Sequence, residues 1–99
     1  SFCANGLHLS PQTLSPRAGQ YMPTVLRSGP FRFYFYSHEP NEPPHVHVER
    51  DDAIAKFWLE SVRLQQSAGF SRIELHRIHG LVLANRDTIL RCWNAYFAS

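Results

Sequence analysis

The chain has 99 residues, 43% hydrophobic and 18% charged, with 13% aromatics and a formal net charge of +2. That is one domain's worth of sequence, long enough for a modest core, and its aromatics give that core a large buried area. The charge is too small to mark a nucleic-acid binder by itself, and no run approaches the ~18 apolar residues of a membrane span.

Cys3 and Cys92 are too few for a disulfide framework in so short a chain, so the expected setting is reducing and cytoplasmic. Residues 1–21 carry Gly, Ser, Pro and Asn with scattered Leu and no clear period. They read as a flexible leader or extension, or alternatively as an arm that packs on the domain or on a partner. A single domain is expected over 22–99.

The first folded element is a hairpin. Thr24 to Arg27 makes a short strand, Ser28-Gly29-Pro30 a turn, and Phe31 to Tyr36 an alternating strand. Phe31, Phe33 and Phe35 point one way; Arg32, Tyr34 and Tyr36 point the other. Three prolines between Ser37 and Pro44 exclude a regular element and specify a stiff loop. His45 to Glu49 is a third strand and Ala53 to Leu59 a fourth, with a turn at 50–52. Residues 61–65 suggest a short edge strand.

The helical signal begins at Ser71-Arg72-Ile73-Glu74, a capping box, with Phe70 and Leu75 placed as a hydrophobic staple. Leu75, Ile78, Val82, Ile89, Trp93 and Tyr96 then share one helical face, and the phase carries through Gly80 and Asn85. The spacing predicts one long helix to about Phe97, bent near Gly80. The expected fold is therefore α+β: an antiparallel sheet of three to five strands, packed on one face by a long C-terminal helix.

Alternation sorts the strands into two faces. Phe31, Phe33, Phe35, Val46, Val48, Ala55, Phe57 and Leu59 form the apolar face under the helix. Arg32, Tyr34, Tyr36, His45, His47, Glu49, Lys56 and Trp58 collect on the opposite, open face.

Three uses of that face stay open. His45 and His47 project to one side and could share a metal ion, with Glu49 or His38 as a third ligand. Alternatively, the face binds RNA, with or without metal-independent cleavage of it. His45, His47 and Glu49 would then be the catalytic acid/base candidates, Arg32 and Lys56 would hold phosphate, and Tyr34, Tyr36 and Trp58 would stack on bases. The third use is non-catalytic: a half-exposed sheet buried in a homodimer or against a partner, with Glu49 and Lys56 forming a cross-strand ion pair. His76 and His79 on the helix read as a solvated face, and Cys92 as a packing residue. No Gly-rich phosphate loop, CxxC pair or Ser elbow is present, and no cofactor is expected.

The blocks Met22-Pro23-Thr24-Val25-Leu26-Arg27, Phe31-Arg32-Phe33-Tyr34-Phe35-Tyr36-Ser37, Glu42-Pro43-Pro44-His45-Val46-His47-Val48-Glu49-Arg50 and Ala55-Lys56-Phe57-Trp58-Leu59 strongly resemble the bacterial family of unknown function DUF4160. The resemblance runs from Met22 to about Phe97 and leaves the leader outside. It carries no residue-by-residue activity. It implies a small bacterial protein, often encoded beside another small protein in a toxin–antitoxin-like arrangement and found on mobile DNA. That context adds weight to RNA or a small cognate protein as the partner, beside the second copy of the chain that the aromatic face itself suggests.

Overall fold

The structure, a computed structural model, describes residues 24–36 and 41–97. The leader 1–21 and the suggested ligand His38 lie outside the described residues. Five strands follow one another as β1 (Thr24–Ser28), β2 (Phe31–Tyr34), β3 (His45–Arg50), β4 (Ala53–Trp58) and β5 (Arg63–Ala68). They form one antiparallel sheet in the order β1-β2-β3-β4-β5, every neighbour in sequence being a neighbour in space. Among the described residues two helices, α1 (Arg72–Ala84) and α2 (Arg86–Phe97), follow the sheet and make the fold α+β.

Local chemistry explains the turns. Gly29 takes a φ of 58°, which a two-residue hairpin turn asks of its first position and Gly meets without a Cβ clash. The β3–β4 turn puts Asp51 at φ 55°, a conformation Asp tolerates better than most residues. Gly69, between β5 and α1, has φ 92° and lies against Ala53, where a Cβ would come within 3.0 Å of Ala53 Cα. Any side chain at this sheet-to-helix turn would meet both that contact and a strained backbone conformation.

The apolar face is as alternation predicts. Phe31, Phe33, Phe35, Val46, Val48, Ala55, Phe57 and Leu59 are all buried in one cluster with Ile78, Val82, Ile89 and Trp93 from the helices. Each of the larger side chains contributes about 1.5–3 kcal/mol relative to exposure. Phe35 keeps its place in this core although β2 ends one residue earlier, at Tyr34.

The single long helix is corrected to two. α1 runs through Gly80 without interruption and ends at Asn85, whose φ of −112° and ψ of 13° leave the helical region. Asn85 caps α1 by donating its side-chain amide to the Leu81 carbonyl at 2.8 Å. Its own carbonyl accepts from Ile89 N–H at 2.9 Å and so starts α2. Arg86, the first residue of α2, donates to the carbonyls of Leu59 at 2.6 Å and Glu60 at 3.2 Å. The break is thus made by a self-bonding Asn and a tether to the sheet, neither of which disturbs hydrophobic phase. Ile78, Val82, Ile89 and Trp93 all face inward, so the predicted stripe holds across the break.

The capping box forms as expected. Glu74 N–H donates to Ser71 Oγ and Ser71 N–H to Glu74 Oε1, each at 3.1 Å. Arg50, at the end of β3, reaches Glu74 Oε2 at 2.9 Å and ties the helix start to the sheet. Glu74 is held below the usual carboxylate range, first by the Ser71 amide and then by Arg50.

The edge strand is longer and lies later than residues 61–65 suggest. β5 spans Arg63–Ala68 and its register slips between Lys56 and Phe57, where Gln65 is the extra residue. A bulge interrupts alternation, which is why periodicity does not locate this strand.

Candidate functional site

β2, β3 and β4 bring the predicted polar face together through their register. Arg32 pairs with Glu49 and Tyr34 with His47 across β2–β3; His47 pairs with Lys56 and His45 with Trp58 across β3–β4. These seven side chains and Tyr36, just beyond β2, nonetheless divide into three groups.

The centre is an aromatic nest around His47. Its ring stacks on Tyr34 at 5.4 Å between centroids and 21° between planes, and meets Tyr36 edge-on at 4.5 Å. Tyr34 and Tyr36 meet edge-on at 5.6 Å. Tyr34 is 3% exposed and His47 9%. Burial, and then a hydrogen bond with Tyr36, push the Tyr34 phenol well above its ordinary range.

The second group is a pair of cations held by carboxylates. Arg32 Nη1 lies 3.0 Å from Glu49 Oε2, while Arg32 Nε donates to Thr24 Oγ1 at 2.7 Å. Its guanidinium sits 4.5 Å from the Tyr34 ring centroid. Lys56 Nζ lies 2.6 Å from Glu42 Oε1 and 5.1 Å from the Trp58 ring centroid. The expected Glu49–Lys56 pair does not form. Register explains it: Glu49 stands between Arg32 and Ile54, and Lys56 stands opposite His47 and Gln66.

His45 stands apart from both. It begins β3, where the strand end meets α2, and it is fully buried. Its ring lies 4.9 Å from Trp93, 5.0 Å from His47 and 5.9 Å from Trp58. Nδ1 is 3.0 Å from the Pro43 carbonyl, which can only accept, so Nδ1 is the donor of this contact. A ring so placed ties the β3 entry to α2 and to the proline-rich loop.

The face is therefore less open than expected, because its rings pack on one another and on Lys56. Beside the aromatic nest lies a pocket of about 330 Å³. Tyr34, Tyr36, His47 and Lys56 form one side; Ile54, Gln66 and Ala68 form the other. That volume lies within the range of small-molecule sites. On the aromatic side Tyr36 is half-buried while Tyr34 and His47 are buried, and Lys56 and Gln66 add polar groups to the lining. Trp58 lies outside this pocket and instead lines a second one, of about 280 Å³, with Pro43, Pro44 and Arg63.

Two contributions were not legible in sequence. Glu42 sits on the proline-rich loop, where no periodicity assigns a direction, yet it partners Lys56 and comes within 3.7 Å of His45 Nδ1. Gln66 and Ala68 reach the pocket only because the β5 bulge turns them to this face. Among the described residues no three His, Cys, Asp or Glu side chains converge as a metal site. His79, expected as solvated, is half-buried and its Nε2 donates to the Val62 carbonyl at 3.1 Å.

Among the described residues no helix is long and apolar enough to cross a membrane. No curated protein and no solved structure matches the chain. The model of a family described as a domain of unknown function matches residues 31–94, which include all eight residues of the polar face and both pocket walls, so the chain belongs to the DUF4160 family.

Proposed function

We propose that the chain is a small toxin–antitoxin-type module that binds single-stranded RNA by taking one unstacked base into the pocket beside His47. The observation that carries this reading is the pairing of an aromatic wall, Tyr34, Tyr36 and His47, with the convergent polar groups of Lys56 and Gln66 in a space of about 330 Å³. Aromatic rings hold any base by its π-face, and amide or ammonium groups discriminate its edge. The bacterial, toxin–antitoxin context comes from the family resemblance alone.

Binding is favoured over cleavage. Metal-independent cleavage needs an acid, a base and a cation at the phosphate. Here Arg32 and Lys56 are each engaged by a carboxylate, and His45 is buried with Nδ1 on a backbone carbonyl. Of the two histidines only His47 lines the pocket.

The test is fluorescence anisotropy with short labelled RNAs, single-stranded and duplex. Preferential binding of the single strand, weakened about tenfold or more by Tyr36→Ala and also by Gln66→Ala, supports the reading; stacking on one base is worth about 1–3 kcal/mol. Equal binding of duplex and single strand, or indifference to both substitutions, overturns it. The same RNAs, resolved by electrophoresis after incubation, separate binding from cleavage. Strand scission lost in His47→Ala would replace the binding module by a ribonuclease.

A further inference from the structure

Among the described residues β5 is the terminal strand of the sheet, and all six of its residues are exposed. It contains no Pro, and Arg63 is its only charge. Its own Leu64 and Ile54 of the neighbouring β4 are 42% and 44% exposed. Such an edge is a template for another strand, and proteins normally blunt it with charge, Pro or a bulge. Here the only such devices are Arg63 at one end and the bulge at Gln65.

The β4–β5 register assigns sides. Arg63, Gln66 and Ala68 oppose Trp58, Lys56 and Ile54, so they lie on the pocket face. Leu64 and Ser67 oppose Phe57 and Ala55, on the helix face. In an ordinary strand, residues five apart lie on opposite sides; the extra Gln65 brings Arg63 and Ala68 to the same side.

This pattern complements itself. An antiparallel two-fold between Gln65 and Gln66 sets Arg63 opposite Ala68 of the other copy, both on the pocket face. It sets Leu64 opposite Ser67, both on the helix face, and Gln65 opposite Gln66. The bulges face each other, and no like charges oppose. A parallel pairing in register would instead set Arg63 against Arg63, which is unfavourable.

We propose that two copies of this chain pair antiparallel through β5, making a continuous ten-stranded sheet in which Arg63 of each copy stands at the rim of the other's pocket. The rim is reached because Ala68, its opposite residue, lines that pocket. Among the described residues Arg63 is held by no carboxylate, unlike Arg32 and Lys56. The dimer thus adds to each pocket, beside Lys56, a second cation that no carboxylate among the described residues holds. This last step rests on the RNA-binding reading; the pairing does not.

Sedimentation equilibrium of the full chain over a wide concentration range tests the pairing without RNA. Reversible dimerisation is expected. Ala68→Arg, which sets like charges opposite at two symmetric positions, should weaken it roughly two- to thirtyfold, and Ala68→Glu should strengthen it within a similar range. Both substitutions fall on an exposed position, and circular dichroism checks the fold. A monomer at every concentration, or a dimer indifferent to both changes, overturns the pairing whatever RNA does. In the RNA arm, Arg63→Ala should weaken single-strand binding and flatten its salt dependence only at concentrations where the dimer forms. A dimer that behaves as expected, with RNA affinity untouched by Arg63→Ala, overturns the role of Arg63 at the pocket.

Discussion

Lys56 and Glu42 meet at 2.6 Å, joining β4 to the proline-rich loop that precedes β3. Lys56 is 9% exposed, so its ammonium depends on this carboxylate, whereas the Glu42 side chain is 41% exposed. Glu42→Ala should therefore cost about 1 kcal/mol in urea denaturation, moderated by water reaching the vacated side. Adding Lys56→Met should recover part of the loss, because the uncompensated charge goes with it. Additive losses in the double variant would show that the pair is not coupled.

The same contact bears on ligand binding. With Glu42 removed, the Lys56 ammonium is left for a phosphate. Glu42→Ala should tighten single-stranded RNA binding and steepen its salt dependence. Anisotropy titrations at two salt concentrations measure both effects.

Glu74 links stability to pH. Its carboxyl is depressed by the Ser71 amide and Arg50, so its contribution is present above the ordinary carboxylate range. It is lost as pH falls through the lowered pKa. Urea midpoints for the wild type and Glu74→Gln should converge as pH drops through and below that range. Ser71→Ala, which removes the other half of the capping box, should cost about 1 kcal/mol at neutral pH.

Tyr34 gives the opposite sign. Its phenol is raised above the ordinary value of 10.0 by burial and by its bond with Tyr36. The stability it adds is complete below pH 10 and is lost as the pH climbs through the raised pKa. Alkaline absorbance titration should show one tyrosine ionising well above the ordinary range, and Tyr34→Phe should remove it. An unchanged titration in that variant would move the assignment elsewhere.

Arg86 clamps the β4–β5 turn by donating to the Leu59 and Glu60 carbonyls. Arg86→Ala should cost about 2 kcal/mol, the usual scale for charge-assisted bonds to backbone. Hydrogen exchange should quicken around residues 59–63 more than in β2 or β3. Uniform acceleration across the sheet would instead indicate global loosening.

The sequence by itself determined which side chains build the core and how α1 begins. Alternation through Phe31-Arg32-Phe33 and Val46-His47-Val48 has one physical solution, since only one side of the sheet can be covered by the helix stripe. Ser71 and Glu74 lie close enough in the chain to form their box from local geometry. The strands β1 to β4 and the inward helical face are legible for the same reason.

Tertiary structure alone decided the rest. The helix break at Asn85 needs the Arg86 tether to two carbonyls 26 and 27 residues away. The β5 register depends on a bulge that periodicity cannot express, and Glu42 finds Lys56 only once the loop has folded over the strand. His45 and His47 look equivalent in sequence, but the strand end tucks one against Trp93 and leaves the other at a pocket wall. Local rules act over a few residues, and the differences that shape the candidate site come from contacts between elements that those rules do not reach.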